Sequence, residues 1–176
     1  MEEFAGEFIG LIPDGNRRWK KQQLGTNMLG LDDYYDAYEQ GAETVRLIIE
    51  RARRESVGML AVWGGSVKNL TSRSQLELGV LHDIYKKFLL NVRDKWMHAD
   101  PNTETRFVHM GREALLTDIE RELILDIKSQ THLRTKMLVA LCLGYDGIDE
   151  QRRAMVSWEK EDHLDVVDGW RNHLDL

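Results

Sequence analysis

One cysteine, Cys142, stands among 176 residues, so no disulfide can form within the chain, and its place in an apolar run predicts a buried thiol. No stretch approaches the roughly 20 apolar residues of a membrane span. The start, Met1-Glu2-Glu3, is acidic and the apolar run after it is short, unlike a secretory leader. Together these point to the cytoplasm. Positive charge is also short: 24 Lys and Arg against 30 Asp and Glu leave a net charge of −6. That excludes a general nucleic-acid binder, which needs a basic surface to neutralise phosphates, but leaves room for a local basic pocket. The six histidines are scattered, with no His/Cys cluster at metal-ligand spacing. No nucleophile elbow, Walker loop, internal repeat, low-complexity tract or linker is present.

What remains is a length suited to one domain with a real core, 42% hydrophobic and 31% charged. Four short β-like runs, over 8–12, 59–63, 106–110 and 136–143, alternate with longer helical patterns. This alternation is the mark of an α/β protein, with a central mostly parallel sheet flanked by helices. The first helix, over 35–54, carries Val45, Ile48, Ile49 and Ala52 at helical spacing. Ser74-Gln75-Leu76-Glu77 reads as a capping box opening a helix that runs to about Trp96, with Val80, Leu81, Ile84, Tyr85, Phe88 and Leu89 on one face. Thr117-Asp118-Ile119-Glu120 is a second capping box, ahead of Leu123, Ile124 and Ile127. A last helix starts near Asp149, after the turn Tyr145-Asp146-Gly147. His98 to Thr103 reads as an ordinary loop. The acidic stretch from Trp158 to Leu176, with Val166, Val167, Trp170 and Leu174 as scattered anchors, needs something further to pack against.

The chemistry concentrates in Pro13-Asp14-Gly15-Asn16-Arg17-Arg18-Trp19-Lys20-Lys21, directly after the first apolar run. A buried strand feeding a turn and a helix start is where open α/β sheets bind ligands. Gly15 lets backbone approach a bound group, and free N–H groups at the helix start favour an anion. Arg17 and Arg18 offer forked donors for phosphate oxygens, and Asp14 is the one hard oxygen ligand nearby for Mg²⁺. By spacing alone, an Asp-Gly turn followed by solvated basic residues accounts for the segment equally well.

The segment closely resembles the first signature of the cis-prenyltransferases, the family of undecaprenyl diphosphate synthase, roughly M-D-G-N-G/R-R-W/Y-A-K. Pro13 takes the place of the Met. The loop Ser66-Val67-Lys68-Asn69-Leu70-Thr71-Ser72-Arg73 resembles the family's F-S-x-E-N-W-x-R, a flexible element over the substrates. Ser66, Asn69 and Arg73 match; Lys68 replaces the carboxylate and Leu70 the Trp. Arg106-Phe107-Val108-His109-Met110-Gly111 resembles the R-x-R-F-I-G-D strand, with His109 a strand histidine without catalytic role. The segment 138–151 resembles the landmark N-Y-G-G-R-x-E-I through Gly144, Tyr145, Gly147, Asp149 and Glu150. It reads mainly as a tight turn between strand and helix.

The resemblance implies the family's α/β fold and a Mg²⁺-dependent enzyme joining an allylic prenyl diphosphate to isopentenyl diphosphate in the Z configuration, with diphosphate released. On the matched positions, Asp14, Asn16 and Asn69 are implied as catalytic, with Asp14 holding the metal. Gly15, Arg17, Arg18, Trp19, Tyr38, Ser66 and Arg73 are implied as substrate-binding, although Trp19 by itself reads as a packing residue. Apolar residues around Val45–Ala52 and Val80–Leu89 would line a prenyl tunnel, where helical spacing alone reads as plain core. A homodimer and peripheral membrane contact are further expectations. Two departures bear on this reading. In the family's R-x-x-G-H-x-x-G, Tyr38 stands where the His that contacts the leaving diphosphate would be. The preceding Asp32, Asp33 and Asp36 read as acids favoured at a helix start rather than as a metal motif. The family's P-V-D-L-x-I-R-T-G-G-E-x-R-x-S would follow Trp170 to Leu174, whereas the sequence stops at Leu176. Residues 1–176 are therefore expected to be one domain incomplete at the C-terminus, or one whose second half-site comes from another subunit. A cyclase, a non-elongating transfer on the same fold, or a non-catalytic diphosphate- or lipid-binding subunit remain the alternatives.

Overall fold

The computed structural model describes residues 6–96 and 104–160. The expected loop from His98 to Thr103 and the anchors Val166, Val167, Trp170 and Leu174 lie outside the described residues. Four strands, β1 (Phe8–Leu11), β2 (Met59–Gly65), β3 (Thr105–Met110) and β4 (Met137–Leu143), form one sheet in the order β1-β2-β4-β3. Every pairing is parallel, with Phe8 opposite Met59, Met59 opposite Leu138, and Thr105 opposite Met137. Parallel neighbours require crossovers, which the helices between the strands supply.

Helix α1 (Asn16–Leu24) follows β1, and α2 (Leu31–Arg54) leads to β2. Helix α2 begins four residues earlier than its apolar periodicity suggests, because Asp33 accepts the Gly30 N–H at 2.9 Å and closes a cap there. Asp32 and Asp33 occupy its first turn and Arg51, Arg53 and Arg54 its last, the arrangement the helix dipole favours. After β2, the segment read as a loop is a short helix, α3 (Val67–Ser72), started when Ser66 Oγ accepts the Asn69 N–H at 2.9 Å. Leu70, where the family has Trp, is buried beneath it.

Helix α4 (Gln75–Asn91) runs on into a π-helical turn, Val92–Trp96, so the expected end near Trp96 is met by a change of helix type. Helix α5 (Asp118–Thr131) opens on the full Thr117/Glu120 capping box, and α6 (Gly147–Lys160) starts where Asp146 Oδ1 accepts the N–H groups of Ile148 and Asp149, each at 3.1 Å. The main core joins α2, α4 and α5 to one face of the sheet through residues such as Ile49, Leu60, Val80, Leu89, Ile127 and Val139. A smaller cluster on the other face holds Met110, Ala140 and Cys142, and the thiol is buried as its apolar run implied. His109 Nε2 donates to the Leu143 carbonyl at 3.0 Å, a structural contact within the sheet.

Candidate functional site

Two loops leave the C-terminal ends of neighbouring parallel strands and meet over α2. The first is built by the turn after β1. Asp14 N–H bonds the Ile12 carbonyl at 2.9 Å, and Gly15, at φ 103°, caps α1 in a conformation that favours glycine. Asn16, Arg17 and Arg18 are thereby the first residues of α1, with the free N–H groups of its opening turn beside them. The second loop carries Ser66, Asn69 and Arg73 from β2 through α3 to the start of α4.

These loops frame two adjoining cavities. The outer one, about 310 Å³, is lined by Pro13, Asp14, Gly15, Asn16, Arg17, Arg18, Tyr38 and Arg73. Three guanidinium groups face one carboxylate in that lining, so the cavity suits an anion. The inner one, about 150 Å³, shares Pro13, Asp14, Asn16, Tyr38 and Arg73 with it and adds Asn69 to its lining. Beyond the mouth its walls turn apolar: Val45 from α2, Leu81, Ile84, Phe88 and Leu89 from α4, and Leu141 and Leu143 from β4. Of the apolar helix residues proposed as tunnel lining, Val45, Leu81, Ile84, Tyr85, Phe88 and Leu89 reach the cavity, whereas Ile49, Ala52 and Val80 belong to the core without lining it.

Most of the residues singled out from the sequence therefore come together. Asp14, Asn16, Asn69, Arg73 and Tyr38 line the inner cavity, and Gly15, Arg17 and Arg18 the outer one. Trp19 and Ser66 are in neither lining: Trp19 is a partly exposed residue of α1, and Ser66 spends its hydroxyl capping α3. Arg18 Nη2 bonds Asp14 Oδ2 at 2.9 Å, with both side chains largely in solvent. Asn16 packs on Gly41 of α2; a Cβ at Gly41 would lie 2.7 Å from Asn16 Nδ2. The glycine in that position of the helix therefore makes room for a site residue.

Behind the arginines lies a residue that sequence reasoning assigned elsewhere. Glu77 was expected to close a capping box with Ser74. Ser74 Oγ does accept the Glu77 N–H at 3.3 Å, but the Glu77 carboxylate turns inward instead of back to the cap. Its Oε1 accepts from Tyr38 Oη at 2.5 Å and forms ion pairs with Arg73 Nη1 at 3.0 Å and Arg17 Nη1 at 3.3 Å, and the residue is only 4% exposed. Arg73 Nη1 also donates to Tyr38 Oη at 2.8 Å. Burial, reinforced by the bond to Glu77, pushes the Tyr38 phenol far above its ordinary value, so it stays a protonated donor. The signal available in the sequence was the pair Arg73 and Glu77, one helical turn apart. Tyr85, also pushed up by burial, donates at 3.0 Å to the carbonyl of Gly64, where the β2–β4 register shifts between Trp63 and Gly65.

Asp33 and Asp36 are used structurally, Asp33 in the cap and Asp36 on Lys20 Nζ at 2.6 Å. Among the described residues no group of three or more His, Cys, Asp or Glu could hold a metal ion. The donor set fits Mg²⁺ only as an ion that brings phosphate and water oxygens and takes one carboxylate, Asp14, from the protein. Among the described residues no helix is long and apolar enough to cross a membrane.

The chain is similar to known proteins in sequence and in fold. An isoprenyl transferase of Geobacter sulfurreducens is 28% identical over 142 residues, covering 81% of this chain and 53% of that protein. A tritrans,polycis-undecaprenyl-diphosphate synthase (GGDP specific) of Sulfolobus acidocaldarius is 27% identical over 163 residues, covering 91% of this chain and 58% of its own length. The chain thus spans a little over half the length of these relatives. In fold it matches lavandulyl diphosphate synthase from Lavandula x intermedia, solved with dimethylallyl diphosphate, at a TM-score of 0.79 and 21% identity over 96% of this chain and 70% of that one. A probable undecaprenyl diphosphate synthase from Campylobacter jejuni gives 0.72 and 20% over 100% and 71%. The family model described as "Putative undecaprenyl diphosphate synthase" matches residues 12–174, which takes in both loops and both cavities, and the chain belongs to that cis-prenyltransferase family.

Proposed function

We propose that this chain provides the allylic half-site of a cis-prenyltransferase, which joins an allylic prenyl diphosphate to isopentenyl diphosphate in the Z configuration and releases diphosphate. The observation that carries this reading is the joined cavity. An arginine-rich outer chamber opens through five shared residues into an apolar inner one, as a molecule with a diphosphate head and a hydrocarbon tail requires. As the allylic C–O bond breaks, negative charge gathers on the leaving diphosphate. Arg17, Arg18 and Arg73, with the N–H groups that open α1, are donors placed to stabilise that charge. Mg²⁺ bound through Asp14 would neutralise part of it. Asn69, in the lining of the inner chamber, would orient the acceptor, which loses a proton as the new carbon–carbon bond forms. The relatives named as isoprenyl transferases and undecaprenyl diphosphate synthases support the same chemistry.

A homodimer, or a second subunit completing the acceptor half-site, belongs to this reading, as do a cytoplasmic location and peripheral contact with membrane when the product is long. The experiment is turnover of the purified chain with farnesyl and geranylgeranyl diphosphate, with and without isopentenyl diphosphate and Mg²⁺. Elongated Z product that requires Mg²⁺ is the expected result. Diphosphate release without isopentenyl diphosphate would replace elongation by cyclisation or another transfer. Binding of the allylic substrate with no product, even with a candidate partner added, would leave a binding subunit.

A further inference from the structure

Beneath the outer cavity, one buried carboxylate holds two of its three arginines. Glu77 Oε1 forms ion pairs with Arg73 Nη1 at 3.0 Å and Arg17 Nη1 at 3.3 Å, and accepts a hydrogen bond from Tyr38 Oη at 2.5 Å. The two arginines come from separate elements, Arg17 from α1 and Arg73 from the α3–α4 junction, and nothing in the local chain holds them together. Arg17 is half exposed, while Arg73 is mostly covered. Each guanidinium has five N–H donors, and the contacts named here engage Nη1 of each. A long, rotatable side chain loses much of its affinity for an anion to the entropy of being ordered, and a fixed counter-charge removes that cost beforehand.

We infer that Glu77 is a positioning residue that pre-orders Arg17 and Arg73 as a two-armed clamp for a diphosphate group. It does not touch the anion. The residue is 4% exposed, lines neither cavity, and acts through the two guanidinium groups that line the outer one. Tyr38 completes the device. Its hydroxyl accepts from Arg73 and donates to Glu77, so Arg73 reaches the carboxylate both directly and through the phenol. The helix start explains why the carboxylate is available: Ser74 caps α4 alone, and Glu77 is released from the reciprocal bond that Glu120 makes in α5. This inference rests on the diphosphate reading of the outer cavity.

The test is titration calorimetry of the full chain with inorganic diphosphate, run on wild type and on Glu77→Gln, which keeps the size and an acceptor oxygen but removes the charge. Loss of a charge-assisted anchor predicts binding weakened by about tenfold, with the unfolding midpoint measured in parallel. Glu77→Asp, which keeps the charge on a shorter stem, should recover part of the affinity. In the Arg17→Ala, Arg73→Ala background, Glu77→Gln should cause no further loss, because a residue acting through those arginines has nothing left to position. Equal or tighter binding by Glu77→Gln would overturn the inference, as would an undiminished loss in the double-alanine background. Should Glu77→Gln fail to fold, Glu77→Asp carries the same comparison in both backgrounds, and unchanged affinity there would overturn it. Wild type that does not bind diphosphate would instead overturn the diphosphate reading of the cavity itself.

Discussion

At Asp14 the protein keeps a carboxylate almost wholly in solvent, 77% exposed by side chain and bonded only to the equally exposed Arg18 among the ion pairs described. Exposed pairs contribute little to stability, so removing this carboxylate should cost the fold little. Asp14→Ala is expected to abolish Mg²⁺-dependent turnover while leaving the unfolding midpoint unchanged; full activity in a product assay would remove Asp14 from the site. Gly41 poses the complementary case. Alanine is a better helix former than glycine by up to about 1 kcal/mol in a helix interior. A Cβ there would nevertheless press on Asn16 at 2.7 Å and turn its amide out of the cavity. Gly41→Ala is therefore expected to hold or raise thermal stability and to lower kcat/KM at least several-fold. Losing both together in parallel melting and rate measurements would mean that the glycine serves the fold alone.

Between elements, the clearest joint is the one that ties α4 to α5. Glu120 is fully buried, its Oε2 accepts the Thr117 N–H at 2.7 Å to cap α5, and its two oxygens face His82 Nδ1 of α4 at 3.0 and 3.1 Å. That hydrogen bond raises the His82 value above its ordinary 6.5 against the opposing effect of burial, with Asp83 adding to the rise. A histidine whose folded-state value is raised stabilises in its charged form. The contribution is complete below about 6.5 and fades as pH climbs through the folded-state value. His82→Gln should therefore lower the unfolding free energy by about 1 kcal/mol at pH 6 and by much less at pH 9. Denaturant melts at the two pH values decide this, and a penalty that grew with pH would contradict the assigned pair. Thr117→Ala removes the other half of the capping box and should cost about 1 kcal/mol at either pH, read in the same melts.

At the scale of the molecule, an acidic protein with net charge −6 concentrates guanidinium groups at one mouth, above an apolar chamber between α2, α4 and the sheet. The two chambers should be separable by mutation. Val45 faces the inner one from α2 and takes no part in the outer one. Val45→Phe fills that space at an overpacking cost of about 1–3 kcal/mol. It is expected to raise KM for an allylic diphosphate while leaving the affinity for inorganic diphosphate unchanged. Equal weakening of both ligands in calorimetry would mean that the chambers are not head and tail sites.

Local chemistry alone determined a good deal. Strand positions followed from short apolar runs, and helix starts followed from Ser74 and Thr117, whose hydroxyls cap as those residue types do in any context. The turn at Asp14-Gly15 and its anion-ready helix start were legible because both are properties of contiguous backbone. The parallel sheet was implied by the alternation of strands and helices, and the motif order carried the family. Only the folded chain decided the strand order, the short helix α3, the π-helical turn after Asn91, and which apolar helix residues wall a cavity rather than fill a core. It also decided the role of Glu77. Whether a glutamate at the third position of a helix turns back to its cap or reaches for arginines depends on where Arg17 and Tyr38 lie, 60 and 39 residues away in the chain. Periodicity reports which side of a helix is apolar. What stands opposite that side is set by packing between elements distant in sequence.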